Sequence, residues 1–466
     1  MNFVLKAQRR IFMKLIYGVN DKPKFGQLII FSLQQLLAIM TATLVVPVVI
    51  NQACNTTMSS AAALFGAGIG TLVYIAFTQK KSPVFLGSSF AFIGSMIAAF
   101  AGGISMSLGY LGLIIGAAFA GLVYVIIAIV VKLAGVKWIN KVMPVAVIGP
   151  TVAIIGLSLA GNAIGDMTKG SIPDVTASPL ITVLCGLVTF IITVLCSTYG
   201  KKTVKLIPFI FGILGGYAIA GIFTIIGYCA DVDALKVLNV APFAALVADG
   251  VTLNTFLSVP DFTFFTAIKG IGEVNSAYIS TIAVAYIPVA FVVFAEHIAD
   301  HKNISSIIET DLLENPGLHR TLMGDGIGSV VGAIFGGCPN TTYGESVGCV
   351  AITRNASLLT IIGAAVLAML ISFISPFIAF VNSIPSCVMG GVCMALYGFI
   401  AVSGLKMIQN VNLNHNKNLF VVSSILIAGI GGLSLTFGKI TITSIACALI
   451  IGIIVNLIVS KAPDEE

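Results

Sequence analysis

SPVFLGSSFAF (residues 82–92) and CPNTTYGESVG (residues 338–348) share one grammar. Each opens on a proline, Pro83 or Pro339, passes through a few extended or β-branched residues to a glycine, Gly87 or Gly344, and continues into a helix-compatible tail. Proline lacks a backbone donor and breaks a helix, so each stretch predicts a short extended piece followed by a half-helix. A second pair has a shared spacing: VMPVAVIGPTVAIIG (142–156) places Gly149 five residues after Pro144, and IPSCVMGGVCMALYG (384–398) places Gly390 five after Pro385. Pro339 follows Pro83 by 256 residues and Pro385 follows Pro144 by 241, about half the chain.

Everything around these breaks is apolar. Of 466 residues 58% are hydrophobic and 9% charged, and the mean hydropathy is +1.07, which excludes an ordinary soluble domain. The fold class expected is an all-α polytopic membrane protein. Hydropathy, broken by Gly, Pro, Asn and charge, gives about fourteen segments near 27–50, 58–78, 83–101, 109–132, 142–164, 178–199, 206–229, 278–299, 321–337, 339–353, 357–378, 384–404, 418–436 and 440–459. The basic, interrupted start MNFVLKAQRRIFMKLIYGVNDKPKF does not resemble a cleavable leader, so the first span is also the expected insertion signal. Seven spans separate the members of each Pro/Gly pair, which predicts a 7+7 inverted-topology repeat.

Charge orients the chain. With the N-terminus inside, twenty of the 24 Lys and Arg fall on inner loops and four (Lys169, Lys236, Lys269, Lys439) fall outside, which predicts both termini in the cytoplasm. The net charge of +6 is thereby explained by topology, and no nucleic-acid partner is expected. The nine cysteines lie mostly within spans and lack CxxC or Cys/His spacing, so neither a disulfide frame nor a zinc site is expected. No nucleophile–base pair or phosphate loop points to an enzyme, and no cofactor is expected.

Two carboxylates stand in the apolar sequence. Glu296 closes YISTIAVAYIPVAFVVFAE (278–296), and Glu345 lies in GGCPNTTYGESVGCVAIT (336–353). A carboxylate mid-span costs ~2.5–3.5 kcal/mol on insertion scales, so such residues mark substrate or ion pathways. Two half-helices starting deep in the bundle aim free N–H groups at one spot, while the glutamates accept hydrogen bonds there. A planar heterocycle with ring N–H donors and carbonyl acceptors fits this set, with Phe90 or Tyr343 covering a ring face. A simple anion fits poorly, because two carboxylates repel it. A cation-selecting pore is the competing class, but two acids make a poor ring.

SLQQLLAIMTATLVVP (32–47), GSSFAF (87–92), AEHIADH (295–301), LLENPGLHR (312–320), PNTTYGESVGCVAITR (339–354) and IPSCVMGGVCMALYG (384–398) together resemble the nucleobase/ascorbate transporter family, and within it the bacterial uracil permeases, over nearly the whole chain. The resemblance implies a multi-pass protein of a bacterial cytoplasmic membrane that takes up uracil by proton-coupled symport and alternating access, with the proton as coupling ion. It implies a core domain (26–132 and 278–378) and a gate domain (138–277 and 384–460), flanked by cytoplasmic segments 1–25 and 461–466, and a homodimer through the gate. It places Glu296 and Glu345 as base-binding carboxylates and the backbone amides of Phe90 and Gly344 as donors to a carbonyl of the base. Tyr343, Tyr397 and Ala42 line the ring in this reading, and Ser89 joins the substrate site. A glutamate rather than glutamine at 345 favours uracil, and a purine such as xanthine is the alternative cargo.

Three positions depart from the family pattern. Gln34-Gln35 replaces a common Gln-His pair, so no titrating imidazole stands there. Asp300 stands where uracil permeases carry a histidine four residues after the glutamate, and His301 follows it. Asp300 is one helical turn from Glu296 on the same face. Proton coupling can therefore involve Glu296, Asp300 and Glu345 as carboxylates; the alternative reading leaves Asp300 solvated and His301 as an end residue on the cytoplasmic side. Ser346 replaces an asparagine and keeps a polar side chain. Desolvation disfavours a charged carboxyl, so base binding and proton binding can share these residues.

Overall fold

A computed structural model of the chain describes residues 15–135, 137–173, 175–201, 203–248, 250–409, 411–437 and 440–460. The first fourteen residues of the expected cytoplasmic start, Lys439 and the tail 461–466 lie outside the described residues. The chain runs α1 (Phe25–Cys54), α2 (Ser60–Phe77), β1 (Leu86–Ser88), α3 (Ile93–Ala98), α4 (Met106–Ala134), α5 (Val145–Ser158), α6 (Ala160–Met167), α7 (Pro179–Tyr199) and α8 (Pro208–Cys229). It continues with α9 (Ser276–Ile308), α10 (Leu318–Gly336), β2 (Asn340–Thr342), α11 (Gly344–Thr353), α12 (Leu358–Ile371), α13 (Ser375–Ser383), α14 (Ser386–Ile408), α15 (Asn416–Ile430), β3 (Leu435–Phe437), β4 (Ile440–Ile442) and α16 (Ser444–Val459). Among the described residues, eight helical stretches, with α5 and α6 counted together, are long and apolar enough to cross a membrane. α12, α15 and α16 are shorter apolar helices. The protein is therefore multi-pass.

Three element boundaries differ from the sequence reading for identifiable reasons. α9 does not stop near residue 299 but continues to Ile308, because Ile304 and Ile308 keep a buried face at helical spacing past the charged stretch. The expected segment 357–378 breaks at Ser372 into α12 and α13, with Pro376 in the first turn of α13, where its missing N–H costs nothing. The ends expected at 436 and 440 are instead strands, paired Leu435–Ile442 through Phe437–Ile440 after the Gly431-Gly432 break.

The helices pack as two groups. In one, α10 lies against α2 and α4, α9 against α4, and α12 against α1 and α2. In the other, α14 lies against α5, α6 and α7, α8 against α7, and α15 against α5 and α16. Glycine seams set the packing distance in both, as expected where small residues replace hydrophobic driving force. A Cβ on Gly66 of α2 lies 2.5 Å from the Gly332 carbonyl oxygen of α10, and one on Gly70 lies 2.7 Å from that of Gly328. In the second group a Cβ on Gly390 meets the Ala163 carbonyl at 2.7 Å, and one on Gly186 meets the Cys387 carbonyl at 2.8 Å.

Gly70→Val is expected to force α2 and α10 apart at a cost of ~1–3 kcal/mol, the range for overpacking. Thermal unfolding of the detergent-solubilised protein should fall by several degrees in this variant. Gly161→Ala, at a position with open space around it, should leave the melting point unchanged or slightly raised; equal effects at both sites would contradict the seam.

Candidate functional site

Two non-helical segments meet inside the first group. β1 and β2 pair antiparallel in the register Leu86–Thr342, Gly87–Thr341 and Ser88–Asn340, and all six residues are buried. The ladder continues at its ends, where Ser89 N–H donates to the Pro339 carbonyl at 2.9 Å and Tyr343 N–H to the Phe85 carbonyl at 3.1 Å. Side chains from the surrounding helices take up the outward-facing donors: Leu86 N–H donates to Thr71 Oγ1 at 2.9 Å and Phe85 N–H to Ser346 Oγ at 3.0 Å. Thr342 N–H faces the Asp325 carboxylate. Ser346 Oγ also accepts from Gln35 Nε2, so the departures from the family pattern at 35 and 346 face each other. Gly87 is required here by a close approach, because the Tyr343 ring and Thr43 lie over its Cα. Tyr343 is buried in this crossing and its hydroxyl donates to the Ser88 carbonyl at 2.8 Å.

Both following helices begin at the crossing. A 3-10 turn over Phe90–Phe92 leads from Ser89 into α3, and α11 begins at Gly344 with Glu345 in its first turn. First-turn N–H groups have no acceptor within their own helix, and the positive dipole end favours the Glu345 carboxylate. Gly344 is exposed although its neighbours Tyr343 and Ser346 are buried, so the start of α11 opens onto solvent-accessible space. Phe90 meets Tyr397 of α14 edge to face, at 5.8 Å between ring centroids and 80° between planes. Ala42, within α1, and Ser89, directly after β1, are each 1% exposed.

α9 supplies two adjacent stripes at i, i+4 spacing. Glu296 and Asp300 form one. Asp300 is buried, accepts from Thr342 Oγ1 at 3.0 Å, and places Oδ1 3.5 Å from where a Cβ on Gly344 would stand. His297 and His301 form the other, fully buried and stacked at 4.0 Å. His297 pairs through Nδ1 with Asp325 Oδ2 at 2.6 Å and through Nε2 with Thr321 Oγ1 at 3.0 Å. His301 Nδ1 donates to the His297 carbonyl at 2.8 Å, and its Nε2 lies 2.7 Å from the Tyr74 hydroxyl. The reading of Asp300 and His301 as groups at a solvated cytoplasmic end is thus corrected: α9 runs two further turns and encloses both.

Four carboxyls, those of Glu296, Asp300, Asp325 and Glu345, lie near enough to feel one another's charge. Two have protein partners, Asp300 in Thr342 and Asp325 in His297. No side chain among the described residues takes up Glu296 or Glu345, and both are part-exposed. Asp325 was missed by the sequence reading, although the signal that singled out Glu296, an acid in an apolar span, is present in MGDGIGS (323–329). The arrangement offers two carboxylate acceptors beside the unpaired N–H groups of a helix start.

The chain is similar to known proteins along most of its length. A model of a Permease family matches residues 26–438. Uracil permease of Bacillus subtilis (strain 168) is 36% identical over 461 residues, covering 97% of each chain. Uracil permease of Escherichia coli (strain K12) is 36% identical over 444 residues, 95% of this chain and 93% of that one. Putative pyrimidine permease RutG of the same organism is 30% identical over 457 residues, 96% of this chain and 92% of that one. The transmembrane domain of the cyanobacterium bicarbonate transporter BicA superposes with a TM-score of 0.60 at 14% identity, covering 94% of this chain and all of that one (100%). The murine Slc26a9 anion transporter in its inward-facing state gives 0.63 at 10% identity, covering 95% and 69%. At these identities the two structures share the fold alone.

Ser346→Ala leaves the Phe85 N–H and the Gln35 amide without their shared acceptor. An unsatisfied buried donor costs ~1–3 kcal/mol, so the variant should melt several degrees below the parent protein, whereas Ser346→Thr should recover most of the loss. Thermal unfolding of both checks this; an unchanged Ser346→Ala would remove the hydroxyl from the crossing's support.

Proposed function

Because the chain belongs to the permease family of nucleobase/ascorbate transporters, we propose that it carries uracil into the cell by proton-coupled symport, with the base bound at Glu296 and Glu345. It is a transporter rather than an enzyme. The observation that carries the reading is the pair of carboxyls without protein partners beside the start of α11. Uracil presents ring N–H donors and carbonyl acceptors on one plane. Glu296 and Glu345 accept from the N–H groups, the Gly344 and Phe90 amides donate to a carbonyl, and Phe90 and Tyr397 bound the ring. Ala42, Ser89 and Tyr343 support the same pocket, Tyr343 by holding the strand crossing.

The shared fold with bicarbonate and anion transporters does not bring their cargo with it. Helix starts alone favour an anion, but two free carboxylates reverse that preference. The names of the relatives support a pyrimidine, and a purine such as xanthine is the second cargo to test.

Proton coupling follows in this reading from charge balance. Glu296 and Glu345 cannot both remain charged at close quarters without cost, so one accepts a proton on the outer side and releases it on the inner side. Asp300, held by Thr342, sets the charge one turn from Glu296. Movement takes place between the two packed groups, 26–132 with 278–378 as the core and 138–277 with 384–460 as the gate, in an alternating-access cycle built on fourteen segments in a 7+7 inverted repeat. The excess of Lys and Arg puts both termini in the cytoplasm of a bacterial inner membrane, and a homodimer through the gate belongs to the same proposal.

Glu345→Gln and Glu296→Gln each remove a charge-assisted hydrogen bond worth ~1.5–3 kcal/mol, so uracil binding to purified protein should weaken about 10- to 100-fold. Unlabelled xanthine should compete with labelled uracil much less than uracil itself; stronger competition by xanthine would change the cargo. In proteoliposomes, uracil should accumulate above its external concentration when the outside is acidic, and uptake should fall as external pH rises because the proton is a co-substrate. Equilibration without accumulation at any gradient would instead indicate a facilitative pore.

A further inference from the structure

Away from the carboxyls, the ends of α2, α4 and α10 enclose a cleft of about 340 Å³. It is lined by the apolar Phe77, Ile129 and Met323 together with Lys132 from the last turn of α4 and His319 and Arg320 from the first turn of α10. Burial first, and then the charges of Arg320 and Lys132, lower the pKa of His319 from its ordinary value. Among the described residues no carboxylate stands within ion-pair distance of Lys132 or Arg320; the ion pairs there involve Lys169, Lys236 and His297. By contrast, nearby Lys81 is occupied by Asn315 Oδ1 at 2.7 Å. The cleft belongs to the Lys- and Arg-rich end of the bundle, the cytoplasmic end by charge bias.

We propose that this cleft binds the headgroup of an anionic phospholipid. Two features argue for a phosphate group and a third for a lipid rather than a free anion. The cations come from two helices and converge without an internal counter-charge, which suits a phosphate diester. The start of α10 adds its first-turn N–H groups and positive dipole end to the same place. On the membrane side of Lys132, α4 presents Ile126 and Ile129 at 52% and 50% exposure, an apolar track for acyl chains that a soluble phosphate does not use. Basic pockets between spans at the cytoplasmic face are a recurrent form of headgroup site. A lipid held there ties α4 to α10, the helix that carries Asp325 and Thr321, and so belongs to the first packed group alone.

The test compares the full-length protein in detergent with the Lys132→Gln/Arg320→Gln variant, and with Lys406→Gln as a control for a basic residue elsewhere in the chain. Added dioleoyl phosphatidylglycerol should raise the melting temperature of the parent and of Lys406→Gln more than dioleoyl phosphatidylcholine does. The double variant should lose that difference while keeping its phosphatidylcholine response. Native mass spectrometry should find one phosphatidylglycerol fewer retained by the double variant. Inorganic phosphate and glycerol phosphate, at matched concentration, should not reproduce the shift. Undiminished phosphatidylglycerol response or retention in the double variant overturns the site. A shift reproduced in full by inorganic phosphate overturns the lipid assignment.

Discussion

Peptide groups that leave helical hydrogen bonding inside a membrane protein must find partners in protein, because the surrounding lipid offers none and each unmet group costs several kcal/mol. The antiparallel pairing of Leu86–Ser88 with Asn340–Thr342 meets that constraint, and the rest of the site depends on it. The strands bring two segments more than 250 residues apart into register. Their outward donors then dictate what the neighbouring helices must carry: a hydroxyl at Thr71, a hydroxyl at Ser346 and a carboxyl at Asp325. Ser346 in turn fixes Gln35 of α1, and Asp325 fixes His297 of α9. One short ladder thus orients side chains from five helices.

The same logic sorts the carboxyls. Asp325 and Asp300 each hold a neighbour on β2 or α9 and are therefore part of the support. Removing the partner of such a buried acid leaves an uncompensated charge, which is why supporting pairs of this kind resist piecemeal substitution. Glu296 and Glu345 carry no such duty and face the part-exposed start of α11. A part-buried carboxyl without a protein partner is costly unless a ligand or a proton supplies the missing interaction, and the proposed cargo and coupling ion supply one each.

Much of this was legible in the sequence. Pro83, Gly87, Pro339 and Gly344 announced the two extended pieces, and Glu296 and Glu345 stood out by charge alone. Which strand residues pair was not legible, because register is a contact between distant segments rather than a local preference. Asp325 carries a readable signal, an acid in an apolar span, but the glycine-rich stretch around it reads as ordinary helix. Gly324, Gly328, Gly332 and Gly336 recur every fourth residue, a pattern that specifies close helix packing; among 48 glycines it passed as background. The end of α9 was misplaced because hydropathy falls where Asp300, His301 and Lys302 follow one another, while the buried face continues through Ile304 and Ile308. Hydropathy averages over the helix circumference, whereas burial follows one face.

The glycine seams also bear on movement. Within each group, α2 on α10 and α6 on α14 approach to backbone distance, so sliding either pair would drive carbonyl oxygens into Cα atoms. Between the groups, where α9 also lies against α5, α16 and β4, the contacts include the Phe90 and Tyr397 rings edge to face and the Gln52 amide 3.0 Å from the Ser386 hydroxyl. Side-chain contacts of this sort can be exchanged for others by rotamer changes, while a glycine seam has no such freedom. Relative motion in the proposed cycle therefore belongs at the boundary between groups. Nearly all the polar groups assigned to the base, Glu296, Glu345 and the Gly344 and Phe90 amides, belong to one group, and the other contributes the Tyr397 ring. A base bound in this way keeps its hydrogen bonds while the opposing wall moves, which separates the energy of recognition from the energy of transit.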